Sequence, residues 1–213
     1  NLLGLSIALA ISFIMLLYVI NELSYDNCHE NRNKIYRVLN YYVDFKKINN
    51  QTPYVLATEL KKDFPQVEKA VKTKRIRDFK LKYKEELISV DDAIATESEI
   101  FEIFTLPILG SSSNKNLLDN NNSIVISQYL AEKIFPDQDP TGQSIIGMIY
   151  NTEQMLTISG VYENTPQNST LQAQCFLNIK WTLDQINKTF GITNAELDWT
   201  QNFWNTWILL SDN

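Results

Sequence analysis

Apolar residues are distributed along this chain in two different ways. Residues 2–20 (LLGLSIALAISFIMLLYVI) form a run without a charged side chain, whereas beyond residue 21 apolar positions recur at the spacing of strands and short helices. At about 1.5 Å per residue the 19-residue run reaches about 28 Å as a helix, close to the roughly 30 Å hydrocarbon core of a bilayer. It predicts a transmembrane helix over residues 1–21. A helix buried in a soluble core and a cleaved signal peptide are the other readings of such a run. A signal peptide wants a basic residue ahead of a shorter apolar stretch and a small-x-small site behind it. Here nothing basic precedes Leu2, and the run gives way to Asn21-Glu22-Leu23-Ser24-Tyr25-Asp26.

Residues 22–34 are polar and free of Gly and Pro, so the helix is expected to continue through them as a stalk. Residues 35–45 (IYRVLNYYVDF) are rich in β-branched and aromatic side chains and predict a strand. Thr52 and Pro53 suit the N-cap and first position of a helix. Its apolar face is Leu56, Leu60 and Phe64, and Pro65 stops it. A strand over residues 67–76 completes a βαβ-type unit. Phe79, Leu81 and Tyr83 then alternate with Lys80, Lys82 and Lys84, the pattern of a half-exposed strand whose lysines guard a sheet edge. Glu85-Glu86 turns the chain into a strand over residues 87–90. Residues 98–104 (SEIFEIF) predict a short amphipathic helix closed by Pro107 and Gly110, and residues 111–122 a Ser/Asn-rich loop. After a strand at residues 124–126, Ser127 caps a helix that buries Leu130, Ile134 and Phe135 and ends at Pro136. Asp139-Pro140-Thr141-Gly142 fits a type I turn. Strands at residues 144–150, 156–162 and 176–179, a polar loop at 163–170, a helix over 181–190 and a buried strand over 203–210 complete an α+β domain. The chain opens on Asn1 rather than Met and closes just after a core strand. Both ends are therefore expected to continue in a longer parent protein.

Charge changes the picture in two respects. The net charge is −6, with lysines interleaved among acids rather than gathered in a stripe, which argues against a nucleic-acid partner. On the exit side of the apolar run, Glu22, Asp26 and Glu30 precede the first arginine, Arg32, which favours the non-cytoplasmic side for the folded body.

Candidate chemistry is sparse. Asp137-x-Asp139-x-x-Gly142 matches the opening of a calcium loop, but the twelfth position is Met148 instead of an acid and Pro140 stiffens the segment. A turn is the better reading. His29, the single histidine, has Cys28 and Glu30 beside it, yet a metal needs three or four ligands and no second cluster stands elsewhere. It reads as a solvated linker histidine. A Ser-His-acid triad would have to use the same residue, and neither a Gly-x-Ser-x-Gly elbow nor a phosphate-binding Gly-x-x-x-x-Gly-Lys-Ser/Thr loop is present. The pairs Glu85-Glu86 and Asp91-Asp92 read as solvated turn acids, and the Asn-x-Ser/Thr triplets at Asn50, Asn168 and Asn187 as chance matches. Trp199, Trp204 and Trp207 could line a ligand pocket but are better read as core. Cys28 and Cys175 lie far apart in sequence, and a bridge or two free thiols both remain open. No catalytic, cofactor-binding or metal-ligating residue is assigned, and no cofactor is expected.

Several segments together resemble one family. The apolar helix running into YVINELSYDNCHENRNKIYRV is similar to the end of the first membrane helix and the stalk of MacB-like/FtsX-like ABC transporter permeases, especially those of Bacteroidetes. Further on, SEIFEIFTLPILG, NNSIVISQYLAEKIFPDQDPTGQSI and LTISGVYENTPQNST resemble, in order, stretches of that family's periplasmic core domain. The resemblance covers nearly the whole chain and rests on order and spacing rather than on one diagnostic motif.

The resemblance implies a transmembrane helix at residues 1–21, the first of four, and a stalk at residues 22–34. A porter-like subdomain would be built from residues 35–76 and 181–213, with a smaller β-rich subdomain of residues 77–180 inserted between them. It further implies a non-catalytic role, mechanotransmission, in which ATP hydrolysis by a separate cytoplasmic ATPase subunit drives motion of the periplasmic domain for export or extrusion. Implied partners are that ATPase, a second permease subunit, the lipid bilayer, and a periplasmic adaptor or substrate protein, in the bacterial inner membrane with the domain in the periplasm. A membrane-anchored ligand sensor shares the same outline. A tethered periplasmic enzyme would need a polar catalytic cluster.

Overall fold

Past the first helix, short runs of β-branched and aromatic residues dominate, and these assemble into one large sheet with helices on its faces. The structure, a computed structural model, describes residues 2–110, 115–149 and 152–212. The element order is α1 (Leu2–Leu23), β1 (Ile35–Val38), β2 (Asn40–Tyr42), β3 (Lys47–Asn49), β4 (Thr52–Pro53), α2 (Leu56–Asp63), β5 (Val67–Ile76), β6 (Phe79–Tyr83), β7 (Glu86–Val90), β8 (Ala93–Thr96) and α3 (Ile100–Ile103). It continues with β9 (Ser123–Ser127), α4 (Gln128–Ile134), β10 (Ser144–Ile149), β11 (Thr152–Tyr162), β12 (Cys175–Asn178), α5 (Ile179–Phe190) and β13 (Asn202–Leu210). Residues 111–114 of the Ser/Asn-rich loop and Tyr150 at the end of an expected strand lie outside the described residues.

The main sheet runs β1-β13-β5-β8-β12-β9-β11-β10-β6-β7, with β4 pairing the start of β13 and β2-β3 forming a separate hairpin. β1 and β5 are both antiparallel to β13 and therefore parallel to each other. The expected βαβ unit is thus present in split form, with the last strand of the chain inserted between its first two. Period-two alternation sorts the central strands onto two faces. Ile124 and Ile126 of β9, Ala93 and Ala95 of β8, and Cys175 and Leu177 of β12 pack with Leu130, Ala131 and Ile134 of α4 and Trp181 of α5. Their neighbours Val125, Ile94 and Phe176 point the other way, into a cluster with Ile100, Phe101 and Ile103 of α3 and with Leu106, Leu118 and Tyr162. A third, smaller cluster gathers Ile179, Leu183 and Ile186 of α5 with Trp204.

Several local expectations held. Ser127 caps α4, its hydroxyl accepting from the Leu130 amide at 3.2 Å, and Leu130, Ile134 and Phe135 are buried. The helix expected over residues 181–190 is α5, and the structure adds that it ends on Gly191 in the left-handed conformation (φ 64°).

Other expectations are corrected. Thr52 and Pro53 do not open a helix; they form β4, and Thr52 is buried with its hydroxyl donating to the Trp204 carbonyl at 3.0 Å and paired with the Thr206 hydroxyl at 2.8 Å. The hydroxyl that a helix end would use is taken by a strand 150 residues away in sequence, and α2 starts at Leu56 instead. The strand expected over residues 35–45 breaks at Leu39 into β1 and the hairpin strand β2. β6 is not an edge strand, because β7 pairs its free side; its lysines are the solvent-facing half of an interior strand. The β6–β7 turn falls one residue early, at Lys84-Glu85, closed by the Tyr83–Glu86 pair, with Lys84 at φ 53°. The proline turn is also shifted by one: the Gln143 amide donates to the Pro140 carbonyl at 3.0 Å, which places Gly142 (φ 82°) third in the turn, where a type II turn requires positive φ. β8, whose four residues are all buried, escaped the sequence reading because Ala-Ile-Ala-Thr shows no polar alternation.

Asn178 ties the layers together. Its side-chain oxygen accepts from the Lys180 amide at 2.7 Å at the start of α5, and its amide donates to the buried Leu118 carbonyl. Replacing it with Ala removes a cap and leaves that carbonyl unpaired, a loss of about 1–3 kcal/mol. Asn178→Ala is expected to lower the thermal midpoint by several degrees in circular dichroism, and an unchanged midpoint would contradict this role.

Candidate functional site

No residue of α1 is buried by the rest of the chain, although its leucines, isoleucines, Phe13 and Met15 are large and apolar. The reading of α1 as a core helix is thereby excluded, and by length and composition it can cross a membrane.

α1 does not continue as a helical stalk. It ends at Leu23, and residues 24–34 form consecutive turns. The Ser24 hydroxyl donates to the Asn21 carbonyl at 2.8 Å, and Asp26 takes a left-handed backbone conformation (φ 57°) that no α-helix can contain. Short polar side chains compete with the helical backbone for hydrogen bonds, and here the competition is decided by partners on the loop between β11 and β12.

Those partners converge on Asp26. Its amide donates to the Asn168 carbonyl at 2.8 Å. Its carboxylate accepts from the Thr170 amide at 2.6 Å, the Thr170 hydroxyl at 2.5 Å and the Ser169 hydroxyl at 3.2 Å. The Asn168 amide group returns the contact, donating to the carbonyl and hydroxyl of Ser24 at 3.0 and 2.9 Å. Asn168 is therefore not an idle sequon but one side of a latch. The next turn is held to the α3 end of the sheet: the Glu30 amide donates to the Thr105 hydroxyl at 2.8 Å, and Asn31 donates to the carbonyls of Glu102 and Ile103 at 3.4 and 3.3 Å.

His29 sits beneath this latch. It is 2 % exposed, so the expectation of a solvated linker histidine is wrong. Its Nε2 lies 3.0 Å from the Ser169 hydroxyl and 3.8 Å from the Asp26 carboxylate, and its ring meets Phe104 edge-on at 5.1 Å. Local sequence carries no sign of this, because the residues that cover it are about 75 and 140 positions further on. Burial lowers its pKa, against the opposing effects of the Asp26 charge and the Thr105 backbone. Nδ1 has no hydrogen bond of normal geometry.

The other singled-out residues are dispersed. Cys28 is half-buried and Cys175 fully buried, and both are free thiols; burial pushes the Cys175 thiol upward. Asp139 accepts from the amide of Thr141 at 2.9 Å, the local turn contact rather than a cation site. Asp92 pairs with Arg75. Trp204 is core, Trp207 packs on Phe104 at 5.3 Å, and Trp199 is exposed, so the three tryptophans do not share a pocket. Among the described residues no group of three or more His, Cys, Asp or Glu side chains could hold a metal.

A membrane-length helix latched to an α+β body defines the class: a membrane-anchored domain. The chain belongs to the MacB-like periplasmic core domain family, whose profile matches residues 1–212 and so takes in the helix as well as the sheet. Solved structures share the fold. A domain of a Porphyromonas gingivalis protein described as a permease is 19% identical, with a TM-score of 0.68 over 86% of this chain and 77% of that one. The periplasmic region of MacB from Actinobacillus actinomycetemcomitans is 12% identical, with a TM-score of 0.55 over 84% and 74%. The extracellular domain of the noncanonic ABC-type transporter YknZ from Gram-positive bacteria is 14% identical, with a TM-score of 0.53 over 84% and 83%. No curated protein sequence matches the chain.

The buried histidine makes the junction sensitive to acid. Its folded pKa lies below the 6.5 of a free imidazole, so below about pH 6.5 the unfolded chain takes up a proton that the folded one resists. Stability from this group is complete above that pH and declines as pH falls toward the folded pKa. Thermal midpoints measured from pH 7.5 to 5.5 are expected to drop in the native protein and to drop less in His29→Gln. Equal slopes for the two would remove His29 as the cause.

Proposed function

We propose that this chain is the non-catalytic coupling part of an ABC transporter permease: it carries motion driven by ATP hydrolysis on a separate cytoplasmic subunit through α1 into the periplasmic sheet. The observation that carries this reading is the Asp26 latch. Motion in a helix reaches a folded body only through contacts that do not slip, and Asp26 with Ser24 makes such contacts to residues 168–170. That loop joins β11 to β12, both interior strands, so displacement of α1 is passed to the middle of the sheet rather than to a frayed edge.

Family membership supports the remaining parts of the reading. The anchor is an inner-membrane helix with the body in the periplasm, the permease acts as a pair, and its cargo or signal passes by way of a periplasmic adaptor or substrate protein. Within the body, residues 35–76 and 181–213 act as a porter-like subdomain and residues 77–180 as the inserted one. The grouping of β1, β13 and β5 at one end of the sheet is in keeping with this division, while β8 and β12 make the sheet continuous across it.

The test uses the full-length permease with its ATPase in lipid nanodiscs. Spin labels on the periplasmic domains of a permease pair are expected to change their separation on ATP binding. Asp26→Ala combined with Thr170→Ala should retain ATP hydrolysis while reducing that change by more than half. A double variant that transmits the full change would reject the latch as the coupling element.

A further inference from the structure

At the end of β13 remote from α1, the sheet holds a cleft of about 730 Å³. The orientation follows from register: Leu209 pairs Ile35, which follows directly on the turns leading from α1, whereas Phe203 and Asn205 lie at the opposite end of the strand and line the cleft. Lys74 and Arg75 from β5, Arg77 from the β5–β6 turn and Lys80 from β6 also line it, with Asp78 as the single carboxylate among the lining residues. Four cations and one acid meet here in a chain whose net charge is −6.

These cations are not consumed by the fold. Only Arg75 has an ion-pair partner, Asp92; Lys74, Arg77 and Lys80 have none among the described residues. Lys74 is half-buried, lies over the rings of Phe203 and Trp204 at 5.4 and 5.8 Å, and donates to the Phe203 carbonyl at 3.1 Å. An ammonium has three donors, so this contact leaves two without a protein acceptor. Burial in the first place, and the neighbouring Arg77 charge in the second, lower the Lys74 pKa, the signature of a cation lacking an anion beside it. Like charges gathered in a partly enclosed site repel one another, and a bound anion relieves that repulsion.

We propose that this cleft binds a small anionic molecule, one bearing a phosphate or carboxylate group on an apolar body, with Lys74 and Arg77 taking the charge and Phe203 the apolar part. The cleft volume falls within the roughly 300–1,000 Å³ usual for small-ligand sites. Its lining is mainly charged and polar, with Phe203 and Met148 as its apolar members. An arginine fork beside a lysine suits the oxygens of either acid group. The site goes beyond the coupling role and stands or falls separately, since none of the residues lining the cleft takes part in the Asp26 latch.

The test is isothermal titration of the full-length protein in nanodiscs with 1-naphthyl phosphate, 1-naphthoate, inorganic phosphate and neutral 1-naphthol. At least one naphthyl anion should bind saturably and at least tenfold more tightly than 1-naphthol, and which of the two binds better separates a phosphate from a carboxylate ligand. Inorganic phosphate should bind more weakly than naphthyl phosphate because it lacks the apolar body. Lys74→Gln with Arg77→Gln should weaken binding of the preferred anion at least tenfold, while Asp78→Asn, which removes the opposing charge, should tighten it. Binding of 1-naphthol as strong as that of the anions, no binding of any anion, or an affinity untouched by both variants would each overturn the proposal.

Discussion

A helix of 22 residues that buries nothing against its own chain is long and apolar enough to cross a membrane, whereas the central strands of the sheet that follows turn their large apolar side chains into buried clusters. Between these two environments the polypeptide has eleven residues, 24–34, in which to change direction and become attached. Asp26 makes that attachment. A carboxylate satisfied by an amide and two hydroxyls of one loop is a charge-assisted cluster, stronger than neutral hydrogen bonds of the same number. The helix stops just before this attachment, and Asp26 holds its contacts to Thr170 with a left-handed backbone (φ 57°).

The latch bears on a sheet that has no internal break. Every neighbour from β1 to β7 is paired, and the chain's last strand is threaded between β1 and β5, near its beginning. Residues far apart in sequence are thus locked to one another: Leu210 donates to the carbonyl of Lys34 at 3.1 Å, and Ile35 pairs Leu209. In the proposed coupling role this continuity matters more than any single contact, because a body that is to be moved as a lever must not come apart at the point of attachment.

The two charged features of the surface have opposite characters. At the membrane-proximal end, Asp26 is fully engaged by protein donors and covers a buried, neutral-favouring histidine. In the cleft beside β5 and β6, Lys74, Arg77 and Lys80 have no ion-pair partners among the described residues. The first suits the proposed joint, and the second suits the proposed anion site.

How much of this was legible in the sequence depends on the range of the interactions concerned. The apolar run at residues 2–20, the Ser127 cap and the alternation at residues 79–83 are set by residues within one or two turns of each other, and each could be read locally. Family resemblance, carried by the order of several such segments, was legible for the same reason. What the sequence could not show were features whose partners lie far along the chain: the burial of His29 under Phe104 and Ser169, the diversion of Thr52 from a helix cap to β13, the strand at Ala93–Thr96, and the cationic cleft assembled from β5, β6 and β13. The physical reason is common to all of them. A side chain's local preference is worth a few tenths of a kcal/mol to about 1 kcal/mol, and one tertiary hydrogen bond or the burial of one large side chain matches or exceeds it. The sequence by itself therefore determined the anchor, the fold class and the family, and the tertiary structure alone decided where the helix ends, what the histidine touches and which cations share a space.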